Sequence, residues 1–307
     1  MIAKQRRLPF PMQAAYRATE HLQLVHGDLC GPITPETPGG KKYFLLLVDD
    51  YSWYMWVVLL RSKDEALGAL KKIQKAAETE RNLKMKALRT DTGGEFMSKE
   101  FVEHCDEHDI KHFLTTPYTP QHNGVIEGRN QTVVRMARSL LKSLGVPAKF
   151  WGEAVCTAVY LLNRYPTKSV KNMTPYEAWH EKKPKVQHLR TFGCVAHVKL
   201  VGPGQNKLPD RSKKMVFIGY EPGSKAYQMY DPEGKKSVVS RDVAFEEGRC
   251  WDWDPQSSSG EEERSTFTVV FSDQGRVQEE ASSAETATVA EKSAAGEGDF
   301  RTPTVAA

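Results

Sequence analysis

The run Tyr43-Phe44-Leu45-Leu46-Leu47-Val48, closed by Asp49-Asp50, is apolar without interruption. It is far too short to cross a bilayer, which takes about 20 residues, and it reads as a buried-type β-strand. A second strand-forming stretch, Tyr54 to Leu60, is rich in aromatic and β-branched residues. Ser52 and Trp53 lie between the two, so a hairpin is expected. The periodicity then changes. Asp64 to Arg81 places Leu67, Leu70, Ile73 and Ala77 at helical spacing, with lysines opposite. Lys84 to Thr90 returns to a strand.

The same alternation continues downstream. Ser98 is a candidate N-cap for a helix to about Glu107, with Phe101, Val102 and Cys105 inward. Ile110 to Leu114 is the next strand. Thr115 to Gly124 holds two prolines and an Asn-Gly pair, which suits a mobile loop. A long helix follows over Val125 to Leu144, then a more apolar one over Phe150 to Asn163, and a short one opened by Thr174-Pro175. With a mixed strand at Leu22 to Leu29, the order is one strand, a hairpin, strand and helix units, then helices. That order predicts a mixed sheet with helices in one α/β domain. From Thr191 four short strands, Phe192–Lys199, Met215–Tyr220, Lys225–Tyr230 and Lys236–Ser240, are separated by Gly/Pro/Asp turns, predicting a small β-rich module over about 190–247.

Charge is unevenly placed. From Ser257 to Ala307 ten acids face four bases, a net of −6, which leaves +10 on residues 1–256 of a chain whose total is +4. The acidic tail is Ser/Glu/Ala-rich and is expected to be disordered from about residue 257, with Phe267-Thr268-Val269-Val270-Phe271 as its one sticky segment. A basic body suits a polyanionic partner, and equally suits plain solubility. The five cysteines are odd in number and widely spaced, which argues against a disulfide framework. Met1 to Arg7 meets prolines before any apolar core forms, so no signal peptide is read there.

Three acids stand where a fold of this kind can bring them together. Asp91 ends an apolar strand and precedes Gly93-Gly94. Glu127 falls in the first turn of the long helix, with 35 residues between it and Asp91. Asp28 lies on the first strand. Two-metal phosphoryl chemistry needs oxygen ligands from separate elements, and magnesium prefers carboxylates plus water. The alternative is three solvated acids, and composition leaves both readings open. Asp49, Asp50 and Glu95 are rival acids, although Asp49-Asp50-Tyr51 serves equally as a hairpin turn.

Other motifs are weaker. Asp91-Thr92-Gly93 matches the aspartic-protease triplet, but Gly94-Glu95 follows where small apolar residues are required. His104, His108 and His112 are four apart; the first two share a helix face, but His112 falls in the next strand, and scattered surface histidines are the simpler reading. No phosphate-loop or dinucleotide fingerprint is present. On the long helix, Arg129, Asn130, Arg135, Arg138 and Lys142 are candidate contacts to nucleic acid beside the acids, the alternative being a solvated helix face.

With these residues in view, the chain resembles the integrase of plant copia-type long-terminal-repeat retrotransposons over about residues 4–247. The resemblance rests on RLPF at Arg7–Phe10, HGDLCGP at His26–Pro32, LRTDTGGEF at Leu88–Phe96, TPYTPQHNGV at Thr116–Val125, TPYE at Thr174–Glu177, LRTFGC at Leu189–Cys194, FIGY at Phe217–Tyr220 and SRDV at Ser240–Val243. It implies an RNase H-like core with Asp28, Asp91 and Glu127 as catalytic acids binding Mg²⁺ or Mn²⁺. It also implies 3′-end processing and strand transfer of element DNA into target DNA, action as a homo-oligomer, and work in the nucleus after a cytoplasmic particle stage. A catalytically inactive, DNA-binding remnant is the alternative. The expected organisation is a basic linker at 1–20, following a zinc-binding module that an N-terminally truncated polyprotein fragment would lack; a catalytic core at 21–185; a post-core β-rich module at 186–250, expected to contact DNA; and an acidic tail at 251–307. Two residues depart from the family pattern: Thr92, and Gly128, which stands where these elements carry Lys or Arg. Glycine in a first helical turn costs up to about 1 kcal/mol relative to alanine.

Overall fold

A computed structural model describes residues 17–115, 124–199, 212–253 and 265–270. Most of the expected basic linker, the centre of the Pro/Asn-Gly loop, and most of the acidic tail lie outside the described residues.

The first sheet contains β1 (Val25–Cys30), β3 (Tyr43–Asp49), β4 (Met55–Leu60), β5 (Ala87–Thr90) and β6 (Lys111–Leu114), in the order β4-β3-β1-β5-β6. β2 is the two-residue strand Ile33–Thr34, outside this sheet. β3 pairs antiparallel with both β1 and β4, whereas β5 runs parallel to β1 and β6 parallel to β5. Helix α1 is Ala66–Arg81, α2 is Lys99–Glu107, α3 is Gly124–Ser143, α4 is Trp151–Leu162 and α5 is Pro175–His180.

The apolar run of β3 is continuous because helices cover both faces of the sheet. Phe44, Leu46 and Val48 join one core with Ile126, Val133, Ala137 and Leu141 of α3 and Trp151, Val155 and Ala158 of α4. Leu45 and Leu47, pointing the other way, join Leu70 and Ile73 of α1 with Phe101 and Cys105 of α2. This is the period-2 alternation of a strand, with each fully buried large side chain contributing about 1.5–3 kcal/mol. The mixed five-stranded sheet between helix layers is the expected RNase H-like architecture.

Local signals act as the sequence predicts at two helix ends. The Ser98 hydroxyl accepts from the Phe101 N–H at 3.3 Å at the start of α2. Thr174 caps α5 by accepting from the Glu177 N–H at 2.9 Å, with Pro175 in the first turn. Gly152 lets α4 approach β4, since a Cβ there would lie 2.7 Å from a Leu59 methyl.

A second, antiparallel sheet has the order β10-β9-β8-β7-β11, from β7 (Cys194–Lys199), β8 (Ser212–Tyr220), β9 (Tyr227–Asp231), β10 (Lys236–Ser240) and β11 (Val243–Cys250). Strand β11 was not expected from the sequence. It extends the module as an edge strand, with its register broken between Glu246 and Cys250. Val216, Ile218 and Tyr230 of this sheet share the core of α3 and α4, so the second sheet packs on the helix pair that covers the first.

The sticky segment of the tail is partly described. β12 (Thr268–Val269) pairs antiparallel with β2, and Phe267 and Val269 are each only 1 % exposed. Phe267 packs near Trp151, and its carbonyl accepts from Arg138 at 3.3 Å. All five cysteines are free thiols. Among the described residues no helix is long and apolar enough to cross a membrane.

Candidate metal and nucleic-acid site

The parallel register of β1 and β5 pairs Val25 with Leu88 and His26 with Arg89. Continued along the strands, the same offset carries Asp28 to Asp91, immediately beyond the last residue of β5. On β1, His26, Asp28 and Cys30 sit opposite Val48, Leu46 and Phe44, the residues that face α3 and α4. Asp28 thus projects under α3, where the Asn130 side-chain amide donates to it. Glu127 lies three residues before Asn130, on adjacent positions of one helix face. Gly93 donates its N–H to Asp91 Oδ1 at 3.0 Å, holding that carboxylate in a tight turn.

The electrostatics of Asp28 record this convergence. Burial, then the negative charge of Asp91, then that of Glu127, push its carboxyl up to about 7, against the opposing Leu29 N–H and Asn130 amide. Only 8 % of Asp28 is exposed. The three carboxylates are not all drawn within 4.8 Å of one another; among the described residues only His104, Glu107 and His108 form such a trio. A buried carboxylate with the charges of two further acids set against it nevertheless suits a divalent ion, which would offset those charges with hard oxygen ligands.

The rival acids have structural partners. Asp49 is fully buried and accepts from the Leu22 N–H at 2.9 Å, the Ser52 N–H at 2.8 Å and the Ser52 hydroxyl at 2.6 Å, so it builds the β3–β4 hairpin. Asp50 bonds His26 Nε2 at 3.0 Å and accepts from the Ala18 N–H at 2.7 Å. Burial opposes its ionisation, but the imidazole and the N–H outweigh it and hold Asp50 below the usual carboxylate range. Glu95 meets Lys63 Nζ at 3.4 Å.

The five candidate nucleic-acid residues separate. Asn130 is 1 % exposed and bonds Asp28, which makes it a support for the acid cluster rather than an open contact. Its signal in the sequence is its spacing of three from Glu127. Arg138 lies 5.4 Å over the Phe267 ring and donates to the Phe267 carbonyl. Arg129 lies 4.3 Å over Trp53, and burial pushes its guanidinium down to about 10. Arg135 and Lys142 are exposed on α3. At Gly128 a Cβ would meet nothing within 4 Å, so the absence of a side chain there is not imposed by packing.

Comparison with known proteins bears on the family of the chain. Residues 18–120 match the integrase core domain family, and residues 194–259 match the retroviral polymerase SH3-like domain. The chain is 42 % identical over 247 residues to the retrovirus-related Pol polyprotein from transposon TNT 1-94 of Nicotiana tabacum, covering 80 % of this chain and 18 % of that protein. It is 29 % identical over 248 residues to the Pol polyprotein from transposon RE1 of Arabidopsis thaliana, covering 80 % of this chain and 17 % of that protein. The chain therefore spans under a fifth of the length of these relatives. Among solved structures, the HTLV-2 integrase catalytic core domain in complex with magnesium is 20 % identical, with a TM-score of 0.42, over 53 % of this chain and all of that one. The two family matches, the sheet order and the relatives together place this chain in the integrase family of retroviruses and retrotransposons, among the plant copia-type elements.

Proposed function

We propose that the protein carries out divalent-metal-dependent polynucleotidyl transfer, namely 3′-end processing of element DNA and its strand transfer into target DNA. The observation that carries this reading is the setting of Asp28, a buried acid whose chief electrostatic neighbours are two further acids from separate elements. Asp28, Asp91 and Glu127 would hold Mg²⁺ or Mn²⁺. The bound ions supply activation of a water or 3′-hydroxyl and stabilisation of the leaving 3′-oxygen. Asn130 orients the Asp28 carboxylate, and the Gly93 N–H orients that of Asp91. Arg135 and Lys142, exposed on α3, would contact phosphates in this reading. DNA is the partner in this reading, the protein acts as a homo-oligomer, and the chemistry takes place in the nucleus.

A catalytically inactive, DNA-binding remnant is the second reading. It is favoured by one observation, the missing cationic side chain at Gly128 beside Glu127 in a position with room for one.

The test is Mn²⁺-dependent joining of a labelled terminal-repeat oligonucleotide to plasmid DNA. Wild type should join, whereas Asp91→Asn and Glu127→Gln should each lose joining by on the order of a thousandfold, several kcal/mol of transition-state stabilisation. Equal joining by all three proteins refutes the assignment. Binding without joining, with turnover restored by Gly128→Arg, selects the remnant reading.

A further inference from the structure

On the far side of the fold from α3, helices α1 and α2 border a cleft of about 690 Å³. Three of its lining residues, His104, Glu107 and His108, each offer a ligand atom within 4.8 Å of the others. Glu107 and His108 are exposed, and His104 is 4 % exposed.

The hydrogen bonds around His104 determine which of its nitrogens is free. Glu78 accepts from the Met85 N–H at 3.0 Å and from Lys84 Nζ at 3.0 Å, so it is a fixed acceptor. The Gln74 side-chain nitrogen donates to Glu78 at 3.0 Å, which turns the Gln74 oxygen toward His104. That oxygen lies 2.8 Å from His104 Nε2 and can only accept, so Nε2 carries the proton. The remaining nitrogen, His104 Nδ1, then holds a bare lone pair. It is buried and has no hydrogen-bond partner among the described residues. His108 is arranged in the opposite sense. Its Nδ1 lies 3.0 Å from the His104 carbonyl oxygen and must donate to it, leaving the lone pair on Nε2.

Each imidazole thus has one N–H tied to an acceptor and one lone pair to offer. That is how metal-bound histidines are held, the outer acceptor fixing tautomer and ring orientation. The last turn of α2, which carries Glu107, adds the negative end of the helix dipole. Lys71, Lys75 and Lys84 also line the cleft, and Lys84 is already paired with Glu78.

We propose that His104, Glu107 and His108 form a binding site for a nitrogen-preferring divalent transition metal such as Zn²⁺, clamping the end of α2, separate from the Asp28–Asp91–Glu127 cluster. Two imidazoles and one carboxylate suit Zn²⁺, with ligand bonds of about 2 Å, and are a poor set for Mg²⁺, which prefers oxygen ligands and water. The two imidazoles keep the acceptors that orient them, and the exposed Glu107 side chain is the ligand that turns toward them.

The experiment is calorimetric titration of the chelator-stripped full chain with Zn²⁺ alone, repeated in millimolar Mg²⁺. Wild type should bind one Zn²⁺ per chain at this site with an affinity that Mg²⁺ leaves unchanged. His108→Ala, an exposed change, should weaken binding by about tenfold or more, with an unaltered melting temperature in the absence of metal. An Asp28→Asn, Asp91→Asn double variant should bind Zn²⁺ as wild type does, which keeps this result independent of the integrase reading. Equal Zn²⁺ affinity in wild type and His108→Ala, or displacement by Mg²⁺, overturns the proposal. So does a His108-dependent thermal shift with inorganic phosphate but not with Zn²⁺, which would give the lysine-lined cleft to an anion.

Discussion

Three buried acids lie on neighbouring strands of the same sheet, and the protein solvates Asp49 and Asp50 in the opposite way to Asp28. Asp49 and Asp50, at the end of β3, are surrounded by donors: three hydrogen bonds on Asp49, and an imidazole and an N–H on Asp50. Asp28, on β1, receives the Leu29 N–H and the Asn130 amide, but burial and the charges of Asp91 and Glu127 outweigh them. The fold surrounds Asp49 and Asp50 with donors and holds Asp50 below the usual carboxylate range, whereas it opposes the charge of Asp28. A buried acid in the first environment holds a turn together. One in the second destabilises the chain at neutral pH unless a cation is supplied, which is the mark of a site kept for binding.

The largest effect expected from this contrast is at Asp28. Its folded carboxyl titrates at about 7 against an unperturbed value of 3.8. The unfolded chain loses this proton first, so the stability linked to protonated Asp28 is complete below about pH 4 and is lost as pH rises through about 7. Asp28→Asn should therefore raise the stability of the metal-free protein at pH 8 by up to about 4 kcal/mol and flatten its pH dependence between 4 and 7. Urea unfolding across that range measures both. An Asn variant less stable than wild type at pH 8 would break the comparison.

The opposite sign is expected at Asp49. Asp49→Ala leaves two backbone N–H groups and the Ser52 hydroxyl without their acceptor in a buried hairpin, at a cost of about 3 kcal/mol. Urea unfolding at fixed pH, with Mg²⁺ present and absent, should show the same loss in both. A loss that Mg²⁺ reverses would move Asp49 out of the structural set and into the binding one.

Much of this was legible in the sequence where one element carries its own signal. The apolar run of β3 and the caps at Ser98 and Thr174 are local, and their structures follow from local chemistry. The pairing of Asp28 with Asp91 is not local. It depends on the register of two parallel strands joined through a hairpin and a helix. The motif spacing suggested the three acids, but only the register sets two side by side. Strand β2 escaped notice because its partner β12 lies across most of the chain and each is only two residues long. β11 was hidden by Glu246, Glu247 and Arg249, whose charges interrupt its alternation on an exposed edge. The histidine pair on α2 was visible, but its bare lone pair depends on Gln74 and Glu78 of α1, which no spacing within α2 reveals.

The central claim is that the acid cluster is a cation site, and Mn²⁺ soaked into crystals of the protein tests it most directly. Anomalous scattering should place Mn²⁺ between the carboxylates of Asp28 and Asp91, within coordination distance of both, and Asp91→Asn crystals should lose that peak. Crystals in which Mn²⁺ occupies the His104–His108 cleft alone, with the acid cluster unchanged, would contradict it.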